Sequence, residues 1–105
     1  MSVEETLKER GNRYGQFKDH AKIAMKLKEV MRHPAAPASL ELTHEGWLRL
    51  APDQMQALDT ICDKIARIIN GDPNYIDNWH DIQGYAKLVE DRLLAEEQER
   101  RDPSI

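Results

Sequence analysis

Residues 59–88 read DTICDKIARIINGDPNYIDNWHDIQGYAKL. They hold parts of two amphipathic helices around a turn. On the near side, Met55, Leu58, Ile61, Cys62, Ile65, Ile68 and Ile69 recur at steps that put apolar side chains on one helix face. Gly71 is a good helix stop, and Asp72-Pro73-Asn74 has the composition of a tight turn. On the far side, Ile76, Trp79, Ile82, Ala86, Val89 and Leu93 alternate by three and four, the seam pattern of packed antiparallel helices. The spacing predicts a helical hairpin. Its first helix ends near Asn70; its second starts at Pro73 or Asn74 and reaches Glu96.

Pro52 stands where the first residue of the earlier helix belongs, because its missing N–H is unbonded there anyway, and Asp53 suits the positive helix end. Upstream, residues 33–51 form a connection opened by His33-Pro34-Ala35-Ala36-Pro37. Its Leu40, Leu42, Trp47, Leu48 and Leu50 predict packing over the helices, with Trp47 as anchor and room for a short helix near Thr43–Leu48. Before it, Phe17, Ala24, Leu27 and Met31, widened by Ile23 and Val30, predict a helix from about Gln16 to Arg32. Ser2 followed by Glu5 is a capping box for a first helix that Gly11-Asn12 should interrupt after about Arg10. Strand-type alternation is nowhere sustained. The fold class expected is all-α: a small bundle of three to four helices in one domain over residues 1–96, with a polar, frayed tail at 97–105.

A chain of 105 residues supports one modest core and leaves much of its surface unburied, so a second copy is expected to complete it as a homo-oligomer, most simply a dimer. The net charge of −4 argues against non-specific nucleic-acid binding, which rests on cationic contacts to phosphate. No apolar run approaches the ~20 residues that span a bilayer, and the acidic start Met1-Ser2-Val3-Glu4-Glu5 has no apolar leader core. A cytoplasmic protein without a membrane partner is expected. The one cysteine, Cys62, lies in an apolar pattern and reads as a core residue.

Two carboxylate pairs carry the candidate chemistry. Asp59 and Asp63 lie four apart on one helix of the hairpin, and Asp77 and Asp81 four apart on the other, so each pair shares a helix face. Hard oxygen ligands converging across the hairpin would suit Mg²⁺, which could activate water and neutralise charge in phosphoanhydride cleavage. Lys64 and Arg67 are placed to hold phosphate oxygens. At about 100° per residue, however, Asp63 and Asp77 point away from the apolar stripes, so the pairs can meet only on a second surface. Asp77, Asp81, Tyr85 and Leu88 share one side of their helix, and Leu88, an apolar residue off the main stripe, suggests a contact with another subunit there. The competing reading is a set of solvated carboxylates, with Asp63 and Arg67 an ordinary surface pair.

His20, His33, His44 and His80 show no zinc spacing, and there is no phosphate-binding glycine loop, dinucleotide fingerprint or nucleophile elbow. Arg10, Arg13, Lys18, Lys22, Lys26 and Lys28 make the first third locally basic, with Tyr14 nearby. That region reads as a solvated face or as a contact for phosphate or nucleic acid.

The segments RGNRYGQF at residues 10–17 and KIARIINGDPNYIDNWHDIQGY at residues 64–85 resemble a family of small phage and prophage proteins of uncharacterised function, over most of residues 8–94. Lys64 and Arg67 followed by Asp77, Asp81 and Tyr85 are more loosely similar to phage nucleotide-modification-associated proteins and to the MazG-like all-α nucleoside triphosphate pyrophosphohydrolases. That resemblance implies Mg²⁺ held by carboxylates on neighbouring helices, usually in a dimer, with Asp59 and Asp63 as the first acidic pair and Asp77 and Asp81 as the second. The family's first motif is rich in glutamates spaced by three, whereas both pairs here are aspartates spaced by four. Three functions are thus expected: a Mg²⁺-dependent nucleotide pyrophosphohydrolase or a nucleotide-binding relative; a non-enzymatic accessory protein that binds a host or phage protein; and, third, a nucleic-acid-associated protein. A convergent acidic cluster would favour the first, and dispersed aspartates beside an exposed apolar patch the second.

Overall fold

The computed structural model describes residues 2–32 and 45–101. Helices α1 (Val3–Tyr14), α2 (Phe17–Arg32), α3 (Glu45–Leu48), α4 (Pro52–Asn70) and α5 (Ile76–Arg101) account for nearly all of them, and the described residues contain no strand. The fold is all-α, as the sequence pattern predicts. Most of the connection at residues 33–51, and the end of the tail, lie outside the described residues.

Helix α4 is the organising element and packs against α5, α2 and α1. Its ion pairs give the direction of each neighbour. Lys64 bonds Asp81 at 2.9 Å near the turn, and Asp53 bonds Arg92 at 2.6 Å toward the far end, so the partners recede equally and α4 and α5 are antiparallel. On the other flank, Lys28 bonds Asp63 at 2.9 Å and Arg32 bonds Asp59, so α2 also runs antiparallel to α4. Asp59 and Asp63 stand about 100–160° around α4 from Ala57 and Lys64. Helices α2 and α5 therefore flank α4 on opposite sides, and the three form a layer.

The seams of that layer close on small residues. Among the described residues the buried apolar ones are Ala24, Ala57, Cys62 and Ala66, which let the helix backbones approach closely. No large apolar side chain joins them. Cys62 lies within 3.8 Å of the Met31 sulfur, in the α2–α4 seam.

Several boundaries differ from those expected. Helix α1 does not stop at Gly11; it runs to Tyr14 and ends at Gly15, whose φ of 77° lies in the left-handed region and whose N–H bonds the Gly11 carbonyl at 2.8 Å. A glycine inside a helix costs only about 1 kcal/mol against alanine, less than a capped first turn and a packed last turn supply. The Ser2–Glu5 capping box forms as expected, at 3.1 and 3.2 Å. Helix α5 starts at Ile76, because Asp72 Oδ1 accepts from the Asn74 N–H at 2.9 Å and holds residues 72–75 in a turn. The Trp79 indole then closes it by donating to the Pro73 carbonyl at 2.8 Å. Helix α5 also continues through Glu96 to Arg101, where a frayed tail was expected, with Arg101 and Glu97 paired one turn apart. Trp47 of α3 packs against α2 through the Arg32 guanidinium, 4.6 Å above its ring.

Candidate functional site

The four aspartates are dispersed. Asp59 bonds Arg32 and Asp63 bonds Lys28, both toward α2. Asp81 bonds Lys64 toward α4, and Asp77 accepts from the Tyr75 hydroxyl at 2.9 Å. That hydroxyl accepts in turn from Arg13 at 3.2 Å, and Arg13 pairs with Glu9 at 2.5 Å, so Asp77 ends a chain of polar contacts reaching back into α1. The Lys64 ammonium holds the Asp81 carboxyl below its usual pKa, and the Asp77 hydrogen bond raises that of Tyr75. Three of the aspartates thus carry their own cation and the fourth a phenol. Among the described residues no three acidic, histidine or cysteine side chains gather as a metal group, so the four aspartates do not present Mg²⁺ with a shared set of oxygens. One atom is left over: Asp59 Oδ1 is buried and without a hydrogen-bond partner.

Lys64 and Arg67, the expected phosphate ligands, go different ways. Lys64 is committed to Asp81, whereas the Arg67 guanidinium lies 4.7 Å from the centre of the Tyr14 ring. Arg67 leads to a place where two turns meet back to back. The Asn70 amide donates to the carbonyls of Tyr14 and Gln16, each at 2.9 Å, and the Asp72 N–H donates to the Arg13 carbonyl at 2.7 Å. The approach needs bare backbone on both sides. A Cβ on Gly15 would press into Asn70, and one on Gly71 would lie 2.7 Å from the Arg13 carbonyl carbon and closer still to its oxygen.

Beside this junction lies a half-open cavity of about 790 Å³. Arg10, Gly11 and Tyr14 reach it from one face of α1, Phe17 and His20 from the first turn of α2, and Arg67 from the last turn of α4. No lining residue is acidic, although the chain as a whole carries −4. Arg10 and Arg67 both lie against the Tyr14 ring and have no carboxylate within ion-pair distance among the described residues. Phe17 is 81% exposed and stacks on His20, with ring centres 5.9 Å apart and planes 14° from parallel. Burial first, and then the Arg67 charge, push the His20 pKa below its ordinary value. The basic residues and Tyr14 are visible in the sequence. What gathers only some of them, and adds Phe17 and His20, is the turn at Gly15.

A second feature covers one face of the layer. Leu58, Ile61, Ile65 and Ile69 line one side of α4, with no charged residue among them, and Trp79, Ile82 and Leu93 continue the surface on α5. Leu58 and Ile69 are 38% and 65% exposed. The ion pairs of α4 with α2 and α5 stand toward the opposite face, where Asp81, Leu88 and Arg92 share a stripe of α5. Leu88 is exposed there, away from the apolar face.

No family model, curated protein or solved structure matches the chain.

Proposed function

We propose that the protein is an interaction module whose working unit is a symmetric pair of chains, joined through the apolar face of the α2–α4–α5 layer. One observation carries this reading: the described core holds only small apolar side chains, while Leu58, Ile61, Ile65 and Ile69 of α4 and Trp79, Ile82 and Leu93 of α5 line one face. A face of that kind is self-complementary about a two-fold axis, and stacking two layers gives the α4 isoleucines the second helical layer that a domain core requires. The α4 stripe at its centre carries no charge, so two copies meet there without like-charge repulsion. The resemblance to small phage and prophage proteins fits an accessory role, with a host or phage protein as the pair's further partner. The negative charge makes a nucleic-acid role weaker.

The test is the mass of the protein in solution by light scattering or sedimentation. The wild-type chain runs as a dimer, Ile65→Glu runs as a monomer of unchanged helix content, and Leu88→Glu remains a dimer. A monomeric wild-type chain at high concentration would sink the proposal, as would a dimer indifferent to Ile65→Glu.

A MazG-like Mg²⁺-dependent nucleotide pyrophosphohydrolase is the second reading, and the unpartnered Asp59 Oδ1 favours it, since a buried carboxylate oxygen without a donor is costly unless a cation meets it. This reading requires the aspartates to leave Arg32, Lys28 and Lys64. Pyrophosphate release from nucleoside triphosphates in Mg²⁺, abolished by Asp59→Asn, would support it; no release by the folded dimer rejects it.

A further inference from the structure

The cavity beside the Gly15–Gly71 junction has a composition that neither the pairing face nor the aspartates explain. Its volume of about 790 Å³ lies in the range of small-molecule sites. Two guanidiniums without carboxylate partners among the described residues, and Lys8 beside them, line it in a chain that is acidic overall. Arginine is well matched to phosphate, because its planar fork donates two parallel hydrogen bonds to two oxygens. The Arg10 and Arg67 guanidiniums both rest against Tyr14, which limits the freedom they would lose on binding.

The aromatic side chains call for a second ligand feature. Phe17 leaves 81% of its surface in water and is held parallel to His20. A side chain this apolar at the mouth of a cationic cavity is a stacking platform for a flat ring. The walls are also stable. Asn70 pins the carbonyls on both sides of Gly15, so the turn that separates Tyr14 from Phe17 does not have to be organised by the ligand. Gly11 adds no side chain to the wall, and the space at its Cβ position is open.

We propose that this cavity binds a phosphate monoester carrying a planar ring, with Arg10, Arg67 and Lys8 on the phosphate and Phe17 under the ring. The shared chemistry belongs to nucleoside monophosphates and to aryl phosphates such as phosphotyrosine. Because no carboxylate lines the cavity, the binding is independent of divalent metal.

The test is calorimetric titration of the full chain in chelator with adenosine monophosphate, free phosphotyrosine and inorganic phosphate. Both ring phosphates bind more tightly than inorganic phosphate, and the tighter of the two identifies the source. Arg10→Gln and Arg67→Gln weaken all three ligands by about tenfold, the scale of a charge-assisted hydrogen bond. Phe17→Ala weakens the two ring phosphates by about tenfold and leaves inorganic phosphate unchanged, and Phe17→Leu falls between. Lys87→Gln, which removes a cation paired with Asp91 on α5, changes nothing. Ring phosphates that bind no better than inorganic phosphate would overturn the proposal. So would equal effects of Lys87→Gln and Arg67→Gln, or binding that disappears without divalent metal. Each variant is compared by its melting curve, and Arg67→Lys, which keeps the charge, retains part of the affinity even where Arg67→Gln loses stability. The oligomeric mass stays the same throughout, so failure here is distinct from failure of the pairing face.

Discussion

Replacing Gly71 by alanine tests whether the two turns are joined as described. A methyl group there would sit 2.7 Å from the Arg13 carbonyl carbon, nearer still to the Arg13 oxygen and the Tyr14 Cα, and all three are backbone atoms that no rotamer can move aside. Forcing extra volume into a filled space costs about 1–3 kcal/mol. Separating the turns also strains the Asp72 N–H to Arg13 bond and the two bonds of the Asn70 amide, each worth roughly 1 kcal/mol. The expected loss is about 3–5 kcal/mol, which for a domain of this size lowers the melting temperature by ~12 °C or more. Gly84→Ala is the control. Gly84 lies inside α5 with nothing within 4 Å of its Cβ position, so alanine there gains about 0.5–1 kcal/mol through helix propensity. Every glycine-to-alanine change carries that gain from the unfolded chain, so the difference between the two variants isolates the contact at Gly71. Far-UV circular dichroism melts of both variants at equal concentration supply the measurement. Melting of Gly71→Ala within ~2 °C of the parent would refute the junction.

Asn70→Ala removes both donors to the Tyr14 and Gln16 carbonyls and should cost about 1–2 kcal/mol by denaturant titration, more than Asn74→Ala on the exposed turn. His20 titrates below its ordinary value, so as pH falls through 6.5 the unfolded chain takes up a proton that the native state does not yet bind. Native stability then drops, and His20→Gln should flatten that part of the pH–stability curve; parallel wild-type and variant curves would contradict this. The Cys62 thiol is buried and its pKa raised, so a disulfide reagent should modify it slowly in the native protein and rapidly in denaturant, as absorbance of the released thiolate would record.

The helices of the bundle were legible because they are long and because α2 and α4 are strongly periodic. The stripes at 55–69 and 76–93 specify α4 and α5, and the ion pairs of Lys64 and Asp53 add their direction, which no stripe encodes. The end of α1 was less legible. Gly11 and Gly15 look equally able to stop a helix, and the choice falls on Gly15 because Asn70, far along the chain, approaches it. The helical wheel turned Asp63 and Asp77 away from the apolar stripes, yet it could not supply Arg32, Lys28 and Lys64, whose placement depends on how neighbouring helices are set. Leu88 shows the converse problem. It stood out as an apolar residue on a polar side, but the neighbours that give such a residue meaning are three-dimensional, and here they are Asp81 and Arg92. The cavity lay furthest from sequence reading, because its cations come from α1 and α4 and are brought together by two turns.

Gly15 and Gly71 are 56 positions apart, yet a side chain added at either would meet the main chain of the other's turn. A defect at either one meets main-chain atoms, so it cannot be suppressed by trimming a neighbouring side chain. Second-site revertants of Gly71→Ala should therefore be changes in length or conformation of the turns themselves, such as a one-residue deletion between Gly15 and Phe17. Drift at one turn thus commits the other, so a lineage that loses either glycine must rebuild both connections before the cavity beside them can be kept.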